Sequence, residues 1–174
     1  MPVSKNSSST KSVAKTARKT VSNNKFLVCI DEQDHSRVAL RFACQKAKRV
    51  GCQVEMLYVI DTRDFNNLFA VSDVMRKERR SEAETLLRGL AEDVHTWSGI
   101  LPSLAVREGM ISDEILTCAE EDADVSLLVL GAAPEGERRS GLLPVVVEAI
   151  GDKLSIPVLI VPGNLTDQQI AILT

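Results

Sequence analysis

Residues 25–163 of the 174-residue chain predict an α/β fold, a single-domain doubly wound five-stranded parallel sheet with helices on both faces. Two observations carry this. Short, nearly continuous apolar runs such as "KFLVCI", "VSLLVL" and "PVLIV" have the pattern of strands covered on both sides. Between them lie stretches of helical period, and strand–helix alternation calls for right-handed crossovers onto a parallel sheet.

The elements follow in order. "KFLVCI" is the first strand, and "DEQDHS" leads into a helix with Val38, Ala39, Phe42, Ala43, Ala47 and Val50 on one face. Ser36 is the expected N-cap, and Gly51 closes that helix at the position where a left-handed residue is favoured. "CQVEMLYVI" is the second strand. A connection through "DTRDFNNLFAVS" leads to a long helix striped by Ala83, Leu86, Leu87, Leu90, Ala91, Val94 and Trp97. "LPSLAVR" is the third strand, and Ser112 is expected to cap the short helix after it. "VSLLVL" is the fourth strand, followed by a polar loop, a helix over 144–154 and the last strand "PVLIV". The ending "GNLTDQQIAILT" carries Ile170, Ile172 and Leu173, which suit packing on the body or on a partner.

Composition narrows the function. Charged residues make up 26% and aromatics 3%, so the core must be built from aliphatic side chains in an ordinary globular chain. No apolar run nears the roughly 20 residues of a membrane span. Residues 1–25 hold six basic residues and no acid. Without those six, 15 basic residues face 24 acidic ones, a body charge of −9. Such a body repels phosphate backbones, so specific nucleic-acid binding through the folded surface is not expected. The Ser-, Thr- and Lys-rich segment 1–24 is too poor in large apolar residues to offset its ordering entropy and reads as a disordered basic tail. Cys29, Cys44, Cys52 and Cys118 stand singly in apolar stretches, with no CxxC pair, as small buried hydrophobes of a reducing compartment. A cytoplasmic protein is expected.

Ligands of an open α/β sheet bind beyond the carboxyl ends of the strands, at the point where strand order reverses. Those ends are Asp31, Val59 to Asp61, Glu108 with Gly109, and Gly131. No dinucleotide GxGxxG, P-loop or GxSxG is present; Ser140 in "RRSGL" lacks the flanking glycines. His35 and His95 have no partner at metal-ligand spacing. A receiver-like acidic pair follows the first strand, but the third strand ends in "REG" where a phospho-accepting Asp would stand. A flavodoxin-like loop would need hydroxyls where "DEQDHS" carries acids. No nucleophile, base and oxyanion donor come together, so no catalytic residue is assigned and an enzyme is not expected.

The order and spacing of "FLVCID", "REG" before a helix, "LLVLG" with a loop of about a dozen residues, and "IPVLIVPG" resemble the universal stress protein family over residues 25–163. The resemblance implies strand order 3-2-1-4-5 and a homodimer made by pairing the last strands. Nucleotide-binding members carry G-x2-G-x9-G-[ST] from the end of strand four. In this chain the four positions are Gly131, Pro134, Pro144 and Val145. A glycine turn at a helix start holds phosphate with bare N–H groups; proline has none, and valine replaces a hydroxyl with hydrocarbon. Proline also suits the first turn of a helix for purely structural reasons.

The resemblance therefore implies a stress-response or interaction module with a degenerate nucleotide site and no cofactor held firmly. Protein partners are compatible with such a module. The alternative is an adenine-nucleotide module binding ATP or AMP weakly. It would use Asp31 for the sugar or base, the backbone around Val59 and Gly109 for an adenine slot, and Gly131, Arg138, Arg139, Ser140 and Gly141 around a phosphate. Plainer readings stand beside these: Asp31 as a strand-end acid bonding nearby N–H groups, Arg138 and Arg139 as solvated loop cations.

Overall fold

A computed structural model describes residues 24–65, 72–134, 141–150 and 153–174. The tail 1–23 and the loop residues Arg138, Arg139 and Ser140 lie outside the described residues. Strands β1 (Lys25–Ile30), β2 (Gln53–Asp61), β3 (Ser103–Gly109), β4 (Val125–Ala132) and β5 (Val158–Pro162) form one sheet. Its order is β3-β2-β1-β4-β5 with every neighbouring pair parallel, as the resemblance implies. Helices α1 (Asp34–Val50), α2 (Ser72–Ser98), α3 (Ile111–Glu121), α4 (Leu142–Ile150) and α5 (Asp167–Leu173) complete the chain.

Alternation along β1 divides the core. Phe26, Val28 and Ile30 join the cluster under α1, α2 and α5, together with Leu40, Met56, Leu87 and Ile170. Leu27 and Cys29 face the other way, with Leu57, Ile115, Leu128, Leu130 and Val146 under α3 and α4. Because β1 is central, both faces are covered, and a continuous apolar run is the result.

Four local expectations are corrected. The N-cap of α1 is Gln33, not Ser36. Ser36 lies in the first turn, where its hydroxyl donates to the carbonyls of Gln33 (2.8 Å) and Asp31 (3.1 Å). Ser112 is likewise inside α3, whose N-cap is Met110. Helix α4 begins at Leu142, two residues before the expected start, so Pro144 falls within its first turn. Val50 is 56% exposed although the helical pattern put it on the buried face. Gly51 does close α1, with φ of 76° and its N–H bonded to the Ala47 carbonyl.

The chain end packs on the body through α5. A capping box at Thr166 and Gln169 starts this helix, and Ile170 is 1% exposed within the core under α1. Ile172 and Leu173 remain exposed. The cysteines are free; Cys29, Cys44 and Cys118 are buried and Cys52 is half-buried. Desolvation pushes the Cys44 thiol up to about 12 and that of Cys29 higher, so these groups stay protonated and unreactive.

Candidate functional site

Strand β1 ends at Ile30, and the chain must leave the sheet there to begin α1. Asp31 makes that turn. Its Oδ1 accepts the Gln33 N–H at 3.0 Å, and the Ser36 hydroxyl braces its carbonyl. Beside this turn, at the carboxyl ends of β1 and β2, opens a cleft of about 600 Å³. Its floor comes from Ile30, Val59 and Ile60, one wall from Arg79, Glu82, Ala83 and Leu86 of α2, and the rim from Glu32, Asp61, Gly141 and Leu142. Reversal of strand order at β1 explains the position: β2 lies on one side and β4 on the other, so the departing chains separate.

The structure brings Asp31, Val59 and Gly141 together in this cleft. Gly109 and Gly131 are not part of its lining. Gly109 pairs with Asp61 across β3 and β2, and a Cβ on it would meet Glu114 Oε1 at 2.6 Å. Gly131 is a packing position, because a Cβ there would stand 2.4 Å from the backbone oxygen of His35. At Gly131 the fixed backbone of α1 explains the small residue without a ligand, whereas at Gly109 the neighbour is a part-exposed Glu114 side chain that can move.

Charge in the cleft is mostly negative. Among the described residues of the lining, Asp31, Glu32, Asp61 and Glu82 are countered by Arg79 alone. Arg79 lies 3.8 Å from Glu32 and 3.5 Å from Glu82. Arg63 binds Asp61 with its side chain and backbone N–H, which lowers the carboxyl pKa despite partial burial. The Tyr58 hydroxyl donates to Glu32, and burial, with Glu32 adding to it, raises the phenol to about 12. Tyr58 stays a neutral donor at ordinary pH.

His35 is the residue that sequence reasoning missed. It is 3% exposed, and its Nε2 lies 3.9 Å from Asp31 Oδ2 without a hydrogen-bond partner among the described residues. The available signal was its i+4 spacing from a strand-end acid. Its burial depends on distant glycines: Gly131, Gly141 and Gly163 each come close enough to His35 that an added Cβ would collide with it. His95, by contrast, is exposed on α2. No group of three or more His, Cys, Asp or Glu among the described residues is arranged for a metal ion. Nor is any described helix long and apolar enough to cross a membrane.

The model of the Universal stress protein family matches residues 22–162, and the chain belongs to that family. Among solved structures, universal stress protein UspA from Lactobacillus plantarum superposes with a TM-score of 0.66 at 20% identity. The match covers 80% of this chain and 97% of that one. A universal stress family protein from Burkholderia pseudomallei gives 0.63 at 20% identity, covering 80% and 96%. An Arabidopsis thaliana family protein with AMP bound gives 0.55 at 17% identity, covering 80% and 91%. At these identities the similarity concerns the fold. Curated proteins gave no match.

Proposed function

We propose that this member of the universal stress protein family is a non-enzymatic stress-response or interaction module. In this reading it is cytoplasmic, acts as a dimer through β5, and does not hold ATP in the family manner. The observation that carries the reading is Pro144 inside the first turn of α4. The first N–H groups of a helix have no partner within it and are the donors available to an anion. Pro144 deletes one of them, and Val145 supplies no hydroxyl. Each hydrogen bond lost to a charged oxygen is worth about 1.5–3 kcal/mol. Two such losses weaken binding by about two to four factors of ten. The acidic lining of the cleft acts in the same direction.

Dimerisation through β5 is supported by its place at the sheet edge, where Val158 is 38% and Ile160 47% exposed. The proposed division is a basic tail over 1–24, a domain over 25–163 and a C-terminal tail over 164–174. Protein partners remain part of the reading; nucleic acid does not.

A second reading has its own observation: the cleft remains open at the β1 and β2 ends, and the Arabidopsis relative carries AMP. An adenine-nucleotide module would use Asp31 for the sugar or base, the backbone around Val59 and Gly109 for an adenine slot, and Gly131, Arg138, Arg139, Ser140 and Gly141 around a phosphate. Denaturing the purified chain and chromatographing the supernatant separates the two. The first reading predicts no released adenylate; a stoichiometric amount would establish the second.

A further inference from the structure

We propose that the outer edge of β3 takes an added strand, an extended peptide whose aliphatic side chain has a carboxylate two residues to either side. In the order β3-β2-β1-β4-β5 the edges are β3 and β5, and the dimer proposed above uses only β5. An edge strand presents alternate N–H and C=O groups without a partner, and proteins guard such edges with charge, proline or a bulge. The first half of β3, "SLAV" at 103–106, carries neither charge nor proline. Its register with β2 runs unbroken from Ser103 to Gly109, so the strand is regular enough to template another.

Side chains along β3 alternate between the two faces of the sheet. Arg107 turns to the α3 side and pairs there with Glu114 at 3.6 Å and Glu121 at 2.6 Å. Leu104, Val106 and Glu108 turn to the α2 side. With Leu87 of α2, Leu104 and Val106 form the floor of a groove of about 300 Å³, walled by Arg80, Glu84 and Arg88. Leu104 at the open edge remains 41% exposed.

Charge along the wall selects the occupant. Arg80 (3.4 Å) and Arg88 (2.9 Å) share Glu84, while Arg76 (3.8 Å) and Arg80 (3.0 Å) share Glu108. Three part-exposed guanidiniums therefore meet two carboxylates, the reverse of the balance beside Asp31. From Arg80 to Arg88 the helix rises about 12 Å, and from Glu108 back to Leu104 the strand runs about 13 Å. The arginines thus span the part of β3 that an added strand would cover. In such a strand a residue beside Val106 has its neighbours at i−2 and i+2 on the same face. An aliphatic residue there meets the apolar floor, and acids on either side reach Arg88 at one end and Arg76 with Arg80 at the other. Guanidinium matches a carboxylate by paired hydrogen bonds, whereas lysines in those places would be repelled.

The probe is a fluorescein-labelled peptide, Thr-Glu-Thr-Val-Thr-Glu-Thr, whose symmetric order suits either strand direction. Anisotropy with the full chain compares it with the peptide carrying lysine for glutamate. The acidic peptide should bind at least about tenfold more tightly. Arg88→Glu should remove that advantage, and Leu104→Lys should abolish binding, each variant keeping the circular dichroism of the parent. Methylating either the amides of the Glu and Val residues or those of the threonines tests the pairing on the parent chain alone. One modification should abolish binding and the other spare it, because only alternate amides face β3. Equal binding of the two methylated peptides, equal binding of the acidic and basic peptides, or no binding of the acidic peptide at about 1 mM protein overturns the proposal. A second copy of the chain on this edge would show as self-association lost in Leu104→Lys, and would overturn the peptide as occupant.

Discussion

At Gly131 a side chain has nowhere to go. An added Cβ would stand 2.4 Å from the His35 carbonyl oxygen, and backbone cannot swing aside. Gly131→Ala should therefore destabilise the protein by about 1–3 kcal/mol in urea denaturation. Gly89, in the middle of α2, has nothing within 4 Å of the same atom. There Gly→Ala should stabilise by about 0.5–1 kcal/mol through helix propensity. The contrast shows what residue-level reading can reach. Gly131 looks like a phosphate position and Gly109 like part of an adenine slot. The packing of β4 on α1 gives Gly131 another cause. His35 was hidden for a similar reason. The sequence offers it no metal-ligand partner, and its burial comes from glycines about a hundred or more residues away. A third test concerns the phosphate positions. Pro144→Gly with Val145→Ser should raise ATP affinity if these replacements are what closed the cradle. An unchanged affinity in the folded double variant would show that the rest of the cleft excludes it as well.

Among the elements, the strands were the most legible because period and apolarity agree in them. β1 matches its expected span, and the other four shift by no more than two residues at either end. Helix starts were less legible. Ser36 and Ser112 have the chemistry of caps, yet Gln33 and Met110 stand at those positions without side-chain bonds. The direction in which each strand leaves the sheet decides the first turn, and local propensity does not encode that. The amino-terminal ends of the central strands also depend on charge. Lys25 at the start of β1 donates to Glu55 of β2 and Asp122 after α3, tying two crossovers together. This contact with Lys25 holds the Asp122 carboxyl below its ordinary value. For a lowered carboxyl, the contribution is complete above about pH 4 and is lost as pH falls through the lowered value. Lys25→Met should thus lose stability near neutral pH and show a flatter fall in urea midpoint between about pH 6 and about pH 2.5. Parallel curves for parent and variant would rule this linkage out.

For the whole molecule, strand order and family were legible together, since the spacing of strand ends, turns and closing strand is that of the family. Of the residues proposed for a ligand, Asp31, Val59 and Gly141 meet in one cleft, whose α2 wall was not foreseen, nor was the buried His35 beside Asp31. Long-range contacts of this kind leave little mark on local pattern. Assembly belongs to this scale as well. An edge strand with exposed Val158 and Ile160 is a pairing surface, and a lysine there opposes strand addition. Ile160→Lys should give a folded monomer in sedimentation velocity where the parent sediments as a dimer. A parent that is already monomeric would refute the assembly.

The central claim, a universal stress fold whose phosphate cradle has been dismantled, is tested most directly by titrating the tag-free chain with ATP and AMP in a calorimeter. The account predicts no heat from either nucleotide at micromolar concentrations. Micromolar binding of ATP would contradict it, and would mean that other groups have replaced the lost glycine amides.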